Sequence, residues 1–123
     1  MVKLVPATPA MVRAVCGEAG LPRAAYAIAA LEGDRVLGLG AAAVVGARWI
    51  VCCQIHPETR AELRTYRRPL LEAARRVLAL TQRRPALPVH AQPDPAVPGA
   101  VAFLEHLGFT PRGDGDWELR RTA

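Results

Sequence analysis

The stretch Ala100-Val101-Ala102-Phe103-Leu104-Glu105-His106-Leu107-Gly108-Phe109, followed by Asp116-Trp117-Glu118-Leu119-Arg120, decides the fold of this chain. Its apolar residues recur with helical spacing up to Leu107, and glycine then ends the helix where a left-handed backbone costs it nothing. The spacing predicts a helix from about Pro98 to Leu107. Phe109-Thr110 and Trp117 to Arg121 then read as two antiparallel strands around the turn residues Gly113-Asp114-Gly115.

Working back towards the N-terminus, Val89-His90-Ala91 reads as a short strand. A helix from Thr65 to Arg83 precedes it, with Leu70, Leu71, Ala74, Val77 and Leu78 at helical spacing. Pro69 is expected in the first turn of that helix, because in the interior it removes a backbone bond at a cost of about 3 kcal/mol. The helix is therefore expected to start near Thr65 to Arg68. A strand that follows a crossover helix pairs most simply in parallel with the strand before it. That preceding strand is Trp49 to Ile55, nearly all apolar and stopped by Pro57.

Further upstream, Ala25 to Glu32 and Arg35 to about Ala43 form a hairpin around Gly33-Asp34, with a second turn at Gly46. The result is a three-stranded antiparallel meander. Gly17, Gly20 and Pro22 break the chain before it. Val2 to Val5 alternate as a strand, and Thr8-Pro9 reads as a helix N-cap with proline in the first turn of a helix to about Cys16.

The 123 residues, 51% of them apolar, are expected to make one domain over 1–123. The apolar runs are too short and glycine-interrupted to span a bilayer, and no basic-then-apolar leader opens the sequence. A cytoplasmic protein without membrane attachment is expected. Cys16, Cys52 and Cys53 form an odd set without a Cys-x-x-Cys pair, so neither a disulfide framework nor a metal site is implied. The net charge of +5 comes largely from arginines, clustered from Arg60 to Arg84 and again at Arg120 and Arg121. Such a balance suits anionic partners, a cofactor phosphate, nucleic acid or an acidic protein, although no aromatics interleave as a single-strand-binding surface requires.

The order strand, helix, meander, long helix, strand, helix, two strands resembles the GNAT N-acetyltransferase superfamily from about Val2 to Arg121. Ala100, Phe103, Glu105, Leu107, Gly108 and Phe109 fit that family's C-terminal phrase, and Glu32-Gly33-Asp34-Arg35-Val36-Leu37-Gly38 resembles its acidic-glycine turn. The phrasing and short length resemble the compact GNAT-like proteins of bacteriophages and prophages. The resemblance implies an α/β (α+β) fold with a mixed, mostly antiparallel central sheet flanked by helices. It also implies acetyl-CoA as cofactor and an amine acceptor.

Two family patterns are missing. The family's long helix opens with a glycine-rich loop whose bare amides surround the CoA pyrophosphate. Alignment from Pro57 places Leu63 and Thr65 at the glycine positions, and alignment back from Leu70-Leu71 places Thr65 and Arg67 there. The tyrosine that many members use to protonate the departing thiolate is replaced by Leu104, which has no proton to give. Val97 stands about where a family asparagine is expected.

The substitutes offered by the sequence are Arg64, Arg67 and Arg68, with Thr65, for phosphate, and Cys53 and Ile55 on the central strand for the pantetheine arm. His56 at the strand end is the candidate base, with His90 a neighbour that shares the cleft and Glu32 and Glu118 as weaker candidates. Tyr66 either stacks on an adenine or covers the start of the long helix. His106 reads as a surface residue, and Trp49 and Trp117 as core or edge anchors. Two readings follow. The first is a GNAT-fold protein with a degenerate acetyl-CoA site, weakly active or inactive, serving a binding or assembly role with a protein partner or as a homo-oligomer. The alternative is an active acetyl-CoA-dependent N-acetyltransferase.

Overall fold

The computed structural model describes residues 1–17, 25–95, 97 and 99–119. The expected break at Gly20 and Pro22, the helix start at Pro98 and the strand end at Arg120 and Arg121 lie outside the described residues. Seven strands, β1 (Val2–Pro6), β2 (Tyr26–Glu32), β3 (Arg35–Val45), β4 (Arg48–Ile55), β5 (Val89–Ala91), β6 (Phe109–Pro111) and β7 (Trp117–Leu119), form one sheet in the order β1-β2-β3-β4-β5-β7-β6. Every neighbouring pair is antiparallel except β4 and β5, which run parallel as a crossover connection requires.

Local signals place most of these elements where the sequence expects them. In helix α1 (Pro9–Cys16) the Thr8 side chain accepts the Met11 amide at 3.2 Å, and Pro9 occupies the first turn. Gly33 adopts φ 62° in the β2–β3 turn, and Gly108 adopts φ 99° at the end of helix α3 (Ala100–Leu107). Strand β3 runs to Val45, two residues past the expected end, because the turn is made by Gly46 at φ 66°.

The long helix α2 (Leu63–Leu80) departs from the expectation. It starts at Leu63 after a 3-10 turn at Arg60–Glu62, so Pro69 lies inside it rather than in its first turn. Proline removes the donor for the Thr65 carbonyl four residues back. Thr65 is exposed and Pro69 only half-buried, so water can solvate that carbonyl and tertiary packing outweighs the local penalty.

Helices cover both faces of the sheet. On one, α2 and α3 bury Ala42, Trp49, Val51, Val89 and Phe109 against Val77 and Leu104, and a second cluster joins Ala30 and Leu37 to Tyr66 and Leu70. On the other, α1 packs Met11, Val12 and Val15 over Ala29, Leu39 and Ala41. Leu37 and Leu39 are fully buried, each worth about 1.5–3 kcal/mol relative to exposure. Two strand positions under α2 leave little room for a side chain. A Cβ on Gly38 would lie 2.7 Å from the Gln54 carbonyl oxygen, and one on Gly40 would lie 3.0 Å from Val77 Cγ2.

Candidate functional site

Strands β4 and β5 pair at only two positions, Trp49 with Val89 and Ile50 with His90, and β5 then ends at Ala91. The remainder of β4, Val51 to Ile55, pairs with β3 on one edge and with no strand on the other among the described residues. A cavity of about 310 Å³ occupies the space so opened. Its floor is β4, through Val51, Cys53 and Ile55, and its sides are the inner faces of α2 and α3, through Leu70, Ala74, Phe103 and Leu104. The connection between β5 and α3 closes one end with Gln92, Asp94 and Val97.

At the head of α2 the cavity meets Leu63, Arg64 and Arg67. Three backbone amides just before the helix are committed to turns. Thr59 donates to the His56 carbonyl at 2.8 Å, Arg60 to Pro57 at 3.3 Å and Glu62 to Thr59 at 2.8 Å. None of the residues of this turn is glycine. The arginines differ. Arg64 and Arg67 make no ion pair among the described residues, and both border the cavity mouth. Leu63 packs partly against the Tyr66–Leu70 cluster, and Thr65 faces an outer depression together with Arg68, so neither side chain fills the cleft.

Of the sequence candidates, the fold brings Cys53, Ile55, Arg64 and Arg67 to this one cavity, and it leaves Thr65 and Arg68 on the outer face of α2. His56 sits immediately after β4 in the turn that launches α2. Its Nδ1 accepts the Glu58 amide at 3.2 Å, and its backbone bonds Leu37 and Thr59, so its contacts are those of a turn residue. Burial pushes the Cys53 thiol up to about 12, which leaves it a neutral, unreactive lining group. Tyr66 is buried, and its hydroxyl donates to Glu32 Oε1 at 2.9 Å, so it covers the helix start and is not a stacking platform. That hydrogen bond to Glu32, with burial adding to it, holds the phenol above its ordinary value. His106 is exposed beside Arg75, and Trp49 is a core anchor whose Nε1 donates to the Arg84 carbonyl at 3.3 Å.

Sequence reasoning missed the cavity's Gln92 and Asp94, which sit in an irregular connection with no periodicity to mark them. It also placed His90 in the cleft. Val89 and Ala91 belong to the core under α2 and α3, so strand alternation turns His90 to the opposite face. There its Nδ1 lies 2.6 Å from Asp116 Oδ2 and its Nε2 2.9 Å from Glu118 Oε1. Arg48 donates to the same Asp116 oxygen at 2.8 Å, and Arg112 to the same Glu118 oxygen at 3.1 Å. Burial alone would raise the Asp116 carboxyl, but the hydrogen bond and charge of His90 and the charge of Arg48 outweigh it and hold it below its ordinary value.

The overall fold recurs in solved structures. The ribosomal-protein-S18-alanine N-acetyltransferase from Escherichia coli matches over 97% of this chain and 93% of its own, with TM-score 0.66 and 10% identity. The chain has the GNAT fold. A protein assigned as a GNAT-family acetyltransferase from Desulfovibrio desulfuricans gives TM-score 0.63 at 12% identity, covering 96% of this chain and 95% of its own. One assigned as an acyl-CoA N-acyltransferase from Klebsiella pneumoniae gives TM-score 0.63 at 13% identity with the same coverage. At such identities the likeness to GNAT structures is one of fold, and function has to be argued from the site. No protein-family model matches the chain, and no curated protein matches it in sequence. No helix among the described residues is long and apolar enough to cross a membrane.

Proposed function

We propose that this chain is an acyl-CoA-dependent N-acyltransferase that holds the cofactor's phosphates with arginine side chains instead of a glycine loop. The observation that carries the reading is the open cleft along the part of β4 that, among the described residues, has no strand neighbour on that edge, with two arginines at its mouth that make no ion pair among the same residues. The residues fit such a cofactor at both ends. Unpaired strand backbone suits the amides of a pantetheine arm, and guanidinium groups bind phosphate bidentately without needing close backbone approach.

When bound, an acyl-CoA supplies a thioester already activated towards an amine. This chain's own contribution is placement. The β4 edge aligns the arm, the apolar faces of α2 and α3 exclude water from it, and Arg64 and Arg67 anchor the far end. Leu104 lines the cavity where a proton donor is expected by resemblance, so that residue cannot protonate the departing thiolate.

Titration calorimetry with acetyl-CoA tests the reading, with micromolar affinity expected. Arg64→Ala with Arg67→Ala should weaken binding by about 10-fold or more, since charge-assisted hydrogen bonds are worth about 1.5–3 kcal/mol. Heat-silent mixing at millimolar ligand removes the proposal. Binding without thiol release in the presence of amines selects the other reading, a degenerate member with a binding or assembly role.

A further inference from the structure

The geometry points to His90 as a positioning residue of the cleft, the centre of a side-chain clasp that fixes where β4 and β5 part and holds the β6–β7 hairpin against them. The clasp is a chain of five groups, Arg48, Asp116, His90, Glu118 and Arg112, drawn from β4, the β6–β7 turn, β5, β7 and the residue after β6. A carboxylate oxygen only accepts hydrogen bonds. With a carboxylate on each ring nitrogen, the arrangement is satisfied at both ends when both nitrogens donate. The 2.9 Å from Arg48 to Nδ1 and the 3.3 Å from Arg112 to Nε2 are then separations between two donors that share one oxygen. Asp114 supports the chain from the turn, its Oδ1 accepting the Asp116 amide at 3.0 Å.

The location gives the clasp its consequence. His90 occupies the last β4–β5 pairing, opposite Ile50, beyond which the cleft opens. Among the described residues the hairpin is joined to β5 at two register positions, His90 with Glu118 and Ala91 with Trp117, a short pairing to which the clasp adds. That hairpin carries Phe109, which is buried and forms part of the cavity wall on the other face of the sheet. Side chains on one face thus set the shape of the cavity on the other. Nothing in the proposed chemistry uses these five groups, and His90 and Asp116 are both buried.

The experiment compares hydrogen exchange and acetyl-CoA affinity in the wild type, His90→Gln and Glu118→Gln. Glu118→Gln removes one charge at a side chain 41% exposed, so it keeps the test available should His90→Gln fail to fold. The clasp predicts that amides of residues 109–119 exchange about 10-fold faster or more in the variants, while those of β2 and β3 stay unchanged. It predicts, on the acyl-CoA reading of the cleft, a 3-fold or greater loss of affinity at an unchanged cooperativity of unfolding. Exchange that is unaltered, or faster uniformly through the sheet, overturns the proposal, as does local loosening with unaltered affinity. A wild type that binds no acetyl-CoA overturns the functional reading alone, and the exchange pattern then decides the clasp by itself.

Discussion

Two buried threonines should respond in opposite directions to the same substitution. Thr59 and Thr81 are both fully buried, the first in the turn before α2 and the second at that helix's end. The Thr81 hydroxyl donates to the Leu78 carbonyl at 2.6 Å, whereas no donor or acceptor among the described residues reaches Thr59 Oγ1. An unsatisfied buried hydroxyl costs about 1–3 kcal/mol, and a made hydrogen bond contributes about 0.5–1.5 kcal/mol net. Replacing the Thr59 hydroxyl by the methyl of valine removes the first cost and leaves the Thr59 backbone bonds to His56 and Glu62 in place. Thr59→Val is therefore expected to stabilise the protein by about 1–2 kcal/mol, a rise of roughly 4–8 °C in Tm for a domain of this size. Thr81→Val is expected to destabilise it by about 1 kcal/mol. Thermal and urea unfolding of the two variants beside the wild type reads both. If Thr59→Val lowers stability by 1 kcal/mol or more, the hydroxyl is bonded in solution and the reasoning fails.

Gly38→Ala places a methyl 2.7 Å from the Gln54 carbonyl oxygen, a backbone atom that cannot swing aside, so a loss of about 1–3 kcal/mol is expected by urea denaturation. A variant as stable as the wild type would show that α2 and β4 have slack there. Asp116 has its carboxyl depressed in the folded protein, so the stability it contributes is present above its unfolded value of about 3.9 and is lost as pH falls through the folded one. Asp116→Asn should be less stable than the wild type at pH 7, and the two Tm curves should converge as pH drops below about 4. Parallel curves down to pH 2 would mean that the carboxylate gains nothing from His90 and Arg48.

The sequence by itself determined those features that residues within a few positions settle among themselves. The Thr8 cap, the Gly33 turn, the Gly108 helix stop and the parallel return of Val89–Ala91 all follow from local hydrogen bonding, φ preferences and connection rules, and the fold resemblance rests on them. The same local logic misjudged α2, where Pro69 argued for a later start and packing of Leu63, Tyr66 and Leu70 against the sheet prevailed. Only the tertiary structure decided the site. Whether Leu63 blocks the cleft depends on where α2 rests over β4, and whether Thr65 and Arg68 reach the mouth depends on which side of that helix turns inward. The charged chain through His90 joins Arg48 to Asp116, 68 positions apart, and no periodicity relates them. They meet because the sheet places β5 between β4 and β7, and strand order is set by the burial of whole faces rather than by any local run of residues.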